Sequence, residues 1–173
     1  MPWTDQDLVL YHGSSSDAAD NIQNRGIKLA ECRALSDFGR GFYTTTNLRQ
    51  AKLWADVRTR LRPRSGAAVL EFRVPRRTIA ALQGMSFVIP GSDYWDLVDD
   101  SRHKPDMGHR HLADDLPTYY DVVFGPVAAE IRKAVKSHYD QISFHTGRAI
   151  NVLEHCLADR LDSSNRLFRP VTP

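Results

Sequence analysis

The sequence predicts one α+β domain built on a split or strongly bent β-sheet. Three observations lead there. Short strand-like and helix-like segments alternate along the 173 residues, in the order strand, helix, strand, helix, strand, helices, strand, helix, strand, helix. Several strand segments are too short and too polar for a parallel sheet covered on both faces, whose strands read as continuous apolar runs. Composition is that of an ordinary globular chain, 42% hydrophobic and 25% charged. No repeat, low-complexity stretch or linker interrupts it, so residues 1–173 are expected to form a single domain.

Each element has its own local reason. Leu8–His12 is a short apolar run ended by Gly13-Ser14-Ser15 and reads as a buried strand. Ser16 or Asp17 caps a helix through Ala18, Ile22 and Arg25, and Gly26 stops it. Residues 26–41 have no period and read as a loop. Phe42–Thr45 follow as a second short strand. Asn47 caps a helix carrying Ala51, Trp54, Ala55 and Arg58, closed by Pro63 and Gly66. Residues 67–74, "AAVLEFRV", alternate most clearly, with Val69, Glu71 and Arg73 opposite Leu70, Phe72 and Val74. A short helix is expected after Pro75, and another over "SDYWDLVDDSR". The polar stretch from His103 to Leu116 reads as irregular. "YYDVVFGPVA" predicts a strand that turns at Gly125-Pro126, and "VAAEIRKAVKS" an amphipathic helix. "YDQISFH" is a strand in which Gln141 and Ser143 alternate with Ile142 and Phe144. Thr146 caps a last helix through Ala149, Val152 and Leu153.

Charge and composition exclude several classes. A net charge of +2 is too small to imply nucleic-acid binding by itself. Arg58, Arg60, Arg62 and Arg64 alternate, and Arg73, Arg76 and Arg77 follow, a run that reads as a solvated helix end and loop. No stretch approaches the roughly 20 apolar residues of a membrane span, so no membrane partner is expected. The N-terminus lacks a basic segment followed by an apolar run, so no signal peptide is expected either. Cys32 and Cys156 form neither a disulfide framework nor a metal-spaced pair. A cytoplasmic protein fits, and so does an effector delivered into a target cell.

Asp37-Phe38-Gly39 matches the magnesium-binding tripeptide of protein kinases, but no Gly-rich loop, strand lysine or catalytic Asp-Asn loop precedes it. Gly39-Arg40-Gly41 lacks the third glycine of a dinucleotide fingerprint, and no P-loop lysine motif is present. His103, His109 and His111, with Asp106, Asp114 and Asp115, match no metal-ligand spacing and read as a solvated loop. No Gly-x-Ser-x-Gly elbow supports a serine hydrolase. No metal is expected.

Four segments remain: "LYHGS" (Leu10–Ser14), "DFGRGFYTT" (Asp37–Thr45), "YDVVFGPVA" (Tyr120–Ala128) and "DQISFHT" (Asp140–Thr146). On these the chain resembles the ADP-ribosyltransferase superfamily, its His-Tyr-Glu-like group, and most closely an uncharacterised bacterial branch. That branch carries the same Tyr-His-Gly-Ser strand, an Asp-Phe-Gly-x-Gly-Phe-Tyr-Thr-Thr segment followed by a Gln-Ala-x-x-Trp-Ala helix, and a late Asp-Gln-x-Ser-Phe-His-Thr. Gln50-Ala51 and Trp54-Ala55 complete the second. The resemblance runs from about Leu8 to about Leu153.

The resemblance implies an ADP-ribosyltransferase-like split, bent sheet flanked by helices, with NAD as substrate. His12 would hydrogen-bond the nicotinamide ribose, and the Gly13 backbone would meet the nicotinamide amide, with Ser14 beside it. Tyr43 would stack on the nicotinamide ring, with Phe38 or Phe42 as a second wall and Thr44 or Thr45 reaching the ribose. Arg40 would fork onto the pyrophosphate. Gln141 stands where the family pattern has a catalytic glutamate; Glu71, Glu130 or Glu154 are the alternative carboxylates. The implied activity is mono-ADP-ribosylation of a protein or nucleic acid, as a toxin with an antitoxin or immunity partner, or as an effector. The chemistry suits such a site. Nicotinamide leaves neutral and little acid–base work is needed, so the site has to clamp the substrate and stabilise an oxocarbenium-like ribose. The alternatives are an NAD- or nucleotide-binding module without turnover, NAD hydrolysis, and removal of an RNA 2′-phosphate.

Overall fold

The computed structural model describes residues 2–60, 65–109, 119–129, 134–163 and 168. The chain is of the α+β class, with seven strands and five α-helices among the described residues. It separates into two compact units, one of Met1–Ile27, Thr44–Ile79 and Val152–Pro173, the other of Lys28–Tyr43 and Ala80–Asn151.

The first unit is a three-stranded antiparallel sheet in the order β1-β3-β7, formed by β1 (Asp7–Ser15), β3 (Ala67–Pro75) and β7 (Leu157–Asp162). The register sets Leu10 opposite Phe72, His12 opposite Leu70 and Gly13 opposite Val69. Leu10, Leu70 and Phe72 are wholly buried, each contributing about 1.5–3 kcal/mol by leaving water. The other face packs on α2 (Leu48–Arg60), whose Ala51 and Ala55 meet Ala67 and Val69. Asn47 caps α2 as expected: its Oδ1 accepts the Gln50 N–H at 3.2 Å. The Gly26 stop also forms, at φ 74°, a conformation that favours glycine, closing α1 (Ser16–Arg25). A short α3 (Arg76–Ala80) begins right after β3.

The second unit carries the sheet ordered β2-β6-β5-β4, from β2 (Phe42–Thr44), β4 (Gly84–Ser86), β5 (Val122–Ala128) and β6 (Val135–Phe144). Strands β5 and β6 are antiparallel, pairing Val123 with Ser143 and Gly125 with Gln141. Helix α4 (Ser92–His103) supplies Tyr94, Leu97 and Val98 to a core completed by Phe38, Val123 and Ala128. Helix α5 (Gly147–Glu154) starts at its expected cap, with the Thr146 Oγ1 accepting the Ala149 N–H at 3.2 Å.

The structure departs from expectation in four places. Strand β1 continues through Gly13 to Ser15 rather than stopping at His12. Strand β5 does not turn at Gly125-Pro126; it runs on, and the proline sits where the register shifts, so its missing N–H costs no regular ladder bond. The helix expected over residues 127–137 is absent at its described ends. Val127 and Ala128 close β5, Val135 opens β6, and the Ala129 N–H donates to the Ala134 carbonyl at 2.8 Å. Strands β4 and β7 were not anticipated. The first has three residues, and the second is a polar edge strand.

Candidate functional site

The second unit gathers its polar chemistry on the Asp37–Gly41 loop. Along β6 the side chains of Gln141, Ser143 and the following His145 share a face, because alternate residues of a strand point the same way. Their neighbours Val123 and Gly125 on β5 share it. The loop lies on that face. A Cβ on Gly125 would meet the Phe38 ring at 2.8 Å, so only glycine leaves room for the ring.

Asp37 is the anchor. Its Oδ1 accepts from Arg102 of α4, at 3.0 Å from Nε and 2.7 Å from Nη2. Its Oδ2 accepts from the Ala128 backbone N–H at 2.9 Å and the Gln141 Nε2 at 2.7 Å. Four donors, two of them from the Arg102 guanidinium, thus hold one nearly buried carboxylate. This is the aspartate of the kinase-like tripeptide, and its oxygens are committed to the protein.

Gln141 uses both amide protons. One goes to Asp37; the other goes to the Pro126 carbonyl at 2.9 Å, which also accepts the Tyr94 hydroxyl at 3.0 Å. Both partners are acceptors, so they fix which end of the amide is nitrogen. The Oε1 accepts no hydrogen bond from the described residues.

Two buried histidines grip the loop by its carbonyls. His109 Nε2 donates to the Phe38 carbonyl at 3.0 Å, and its Nδ1 accepts the Tyr120 N–H at 2.9 Å. His145 Nδ1 donates to the Arg40 carbonyl at 2.8 Å, and its Nε2 faces the Ser143 hydroxyl at 2.8 Å. A carbonyl only accepts, so each partner sets which nitrogen carries a proton, and on His109 the other nitrogen accepts a backbone N–H. The rings stand edge to face, 4.6 Å between centroids, and Tyr119 stacks on His145 at 5.8 Å. Burial first, then the neighbouring His109, pushes the His145 imidazole down to about 3. The Ser143–His145 pair has the composition of a hydrolase dyad, but Ser143 is wholly buried and closed to a substrate.

Tyr43 is half-buried. Its hydroxyl donates to the Gly39 carbonyl at 2.8 Å and accepts the Phe38 N–H at 2.9 Å. Burial holds the phenol far above its ordinary value, so it stays a neutral donor. Its ring is edge-on to His145 at 6.2 Å. The ring is therefore fixed by its tip, as a stacking platform requires.

The other candidates are placed less favourably for a ligand. Phe38 is wholly buried against Tyr94 and Phe87, so it is a core residue rather than a stacking wall. Phe42 is buried too. Arg40 spends four donors on the protein. Nε and Nη2 meet Asp106 at 2.8 and 3.3 Å, and Nη1 meets the Ala30 and Cys32 carbonyls at 3.1 and 2.7 Å. Asp106 reaches it from a left-handed conformation, φ 61°, which aspartate tolerates better than most residues.

In the first unit, His12 is half-buried on β1, and alternation sends it to the face opposite α2. Gly13 faces α2 so closely that a Cβ would collide with the Ala51 carbonyl, which gives this glycine a packing reason of its own. Ser14 is buried. Thr45 pairs with Tyr11 through two backbone bonds and uses its hydroxyl on Gln50 and the Asn47 N–H. Thr44 is buried. Glu71 is tied to Arg73 at 2.7 Å and faces the like charge of Asp159 across the strand pair; Glu154 accepts the Ile27 N–H at 2.5 Å. Glu130, His111, Asp114 and Asp115 lie outside the described residues.

Sequence reasoning overlooked Asp37, Arg102 and His109. The signal available for Asp37 is an acid beside a glycine-rich turn. His109 stood among polar residues and looked solvated, yet it is wholly enclosed. Among the described residues no group of three or more His, Cys, Asp or Glu is placed to hold a metal ion, and no helix is long and apolar enough to cross a membrane.

No curated protein matches the sequence. Residues 8–134, well over half the chain, match the family described as proteins of unknown function, DUF3990. The match takes in "LYHGS" and the Asp37–Thr45 segment and stops before Gln141. The chain belongs to the DUF3990 family.

Proposed function

We propose that the protein is an NAD-dependent mono-ADP-ribosyltransferase. The observation that carries this reading is the pairing, within one unit, of a tip-anchored aromatic ring with a fixed acceptor oxygen. The ring is Tyr43 and the oxygen is the Gln141 Oε1. A nicotinamide ring stacks on the first, and a ribose hydroxyl donates to the second. A ribose contact from His12 is what the family resemblance implies. Cleavage of the glycosidic bond releases neutral nicotinamide with the bonding electron pair. The ribose carbon, now oxocarbenium-like, bonds to a nucleophile on a protein or nucleic-acid acceptor, which gives up its proton. The negative end of the Gln141 amide dipole faces the developing charge. Toxin activity neutralised by a partner protein fits this chemistry.

The test is incubation of the folded protein with labelled NAD⁺ and cell extract. Label on macromolecules is expected, lost in H12A and Y43A. No transfer and no nicotinamide release would end the enzyme reading. A second reading has a specific observation behind it: position 141 offers no negative charge. On that reading the domain binds NAD⁺ without turnover, and calorimetry would register binding while nicotinamide release stays at background.

A further inference from the structure

We infer that Gln141 works through its carbonyl oxygen, as a preset acceptor for a sugar hydroxyl, and that Asp37 is the residue that positions it. The inference rests on the NAD reading and makes it specific. Two acceptors, Asp37 Oδ2 and the Pro126 carbonyl, converge on the Gln141 side chain at 2.7 and 2.9 Å. They select an amide and exclude a carboxylate. A glutamate here would set one oxygen against a carboxylate and a carbonyl oxygen at hydrogen-bond distance. The departure from the His-Tyr-Glu pattern is therefore built into the surroundings of the side chain.

The same two bonds stop the amide from rotating. Once both N–H groups are held, Oε1 has one direction left. Donation to an ionised carboxylate polarises the amide and strengthens its oxygen as an acceptor. Arg102 neutralises Asp37 and fixes it from the far side. An acceptor of this kind cannot hold a phosphate, which offers only acceptors, and it lacks the charge preferred by a metal ion. A hydroxyl donor is the complementary group.

Two measurements test this. In ¹⁵N-labelled protein, the Gln141 side-chain protons are expected to exchange slowly in wild type and quickly in D37N. Fast exchange in wild type, or slow exchange surviving in D37N, overturns the positioning role. NAD⁺ titration by calorimetry then compares wild type, Q141A, D37N and D37N/Q141A. Each single variant is expected to bind about 10-fold more weakly, the worth of one hydrogen bond, and the double variant no more weakly than either. Losses that multiply would mean Asp37 acts other than through Gln141. Absence of NAD⁺ binding by wild type would overturn the ligand class and the functional reading together, and the exchange data would still decide the positioning. Q141E is expected to melt earlier than wild type with no gain in nicotinamide release; unchanged melting with faster release would overturn the exclusion of a carboxylate. If D37N does not fold, wild-type exchange and Q141A binding still decide the matter.

Discussion

Gly13 and Gly41 both stand where something packs too closely for a side chain, yet what packs against them differs. At Gly13 it is the backbone of α2, and around it lie Ala51, Ala55, Ala67 and Val69. At Gly41 it is the imidazole of His145, with its Nδ1 2.6 Å from where a Cβ would be. The first unit is held close by small apolar residues, the second by a polar network folded over a loop. Volume changes should therefore damage the first, and changes of charge or hydrogen bonding the second.

The largest effect is expected from D37A. It removes the acceptor of four donors and leaves the Arg102 cation with the Ala128 and Ala129 carbonyls but no counter-ion, a loss of about 3–5 kcal/mol, measured by urea unfolding. An unchanged midpoint would mean that the network adds nothing and that the contrast is false. G13A follows, at about 3 kcal/mol, the upper range for overpacking a close contact. Its cost should be the same at pH 5 and pH 7, since no titrating group takes part. A pH-dependent loss in G13A would blur the division.

The pH profile sharpens the comparison further. His145 is buried neutral, with its protonation pushed down to about 3, below the usual histidine value of about 6.5. Below pH 6.5 the unfolded chain takes up a proton that the folded chain refuses. Stability contributed by this group is thus complete above that pH and declines as pH falls toward 3, by about 1.4 kcal/mol per unit. H145N, which keeps a donor for the Arg40 carbonyl, should be less stable at pH 7 and flatter between pH 7 and pH 5. Parallel wild-type and H145N profiles would show that another group controls the acid response.

The same contrast explains how much was legible in the sequence. Most elements of the first unit follow from local pattern: the "AAVLEFRV" alternation, the Asn47 cap and the Gly26 stop. Misreadings arose where tertiary pairing overrode a local pattern. Residues 127–137 have helical spacing, but their ends are taken by the β5–β6 ladder. Strand β7 lacks apolar alternation because it pairs on one side only. Gly13 looked like a strand end because a glycine breaks a pattern, while its real cause is a helix passing behind it. In the second unit residues 26–41 offered no period at all. Their order comes from partners more than 60 positions away: Arg102, Gln141 and His145. Such bonds leave no local trace. They also explain why "DFGRGFYTT" and "DQISFHT" occur together: the two segments interlock, whatever ligand they serve.

Arg40 gives the smallest expected effect and the finest test. Its pair with Asp106 is partly open to water, with side-chain exposures of 30% and 54%, and an ion pair in water contributes little. D106A should leave the melting temperature nearly unchanged. R40A should lower it slightly, because the Ala30 and Cys32 carbonyls lose a donor as well. With its donors spent on the protein, Arg40 is a clasp for the loop, so R40A should leave NAD⁺ affinity where it was. The opposite result has a clear form. If NAD⁺ pyrophosphate displaces Asp106, D106A removes the competitor and binds more tightly, while R40A binds more weakly. Affinities that move in opposite directions in these two variants would give Arg40 to the ligand. Affinities that do not move leave the exposed rim of the loop with the same small role that surface ion pairs have elsewhere, and confine the sensitive chemistry to the buried side, at Asp37 and Gln141.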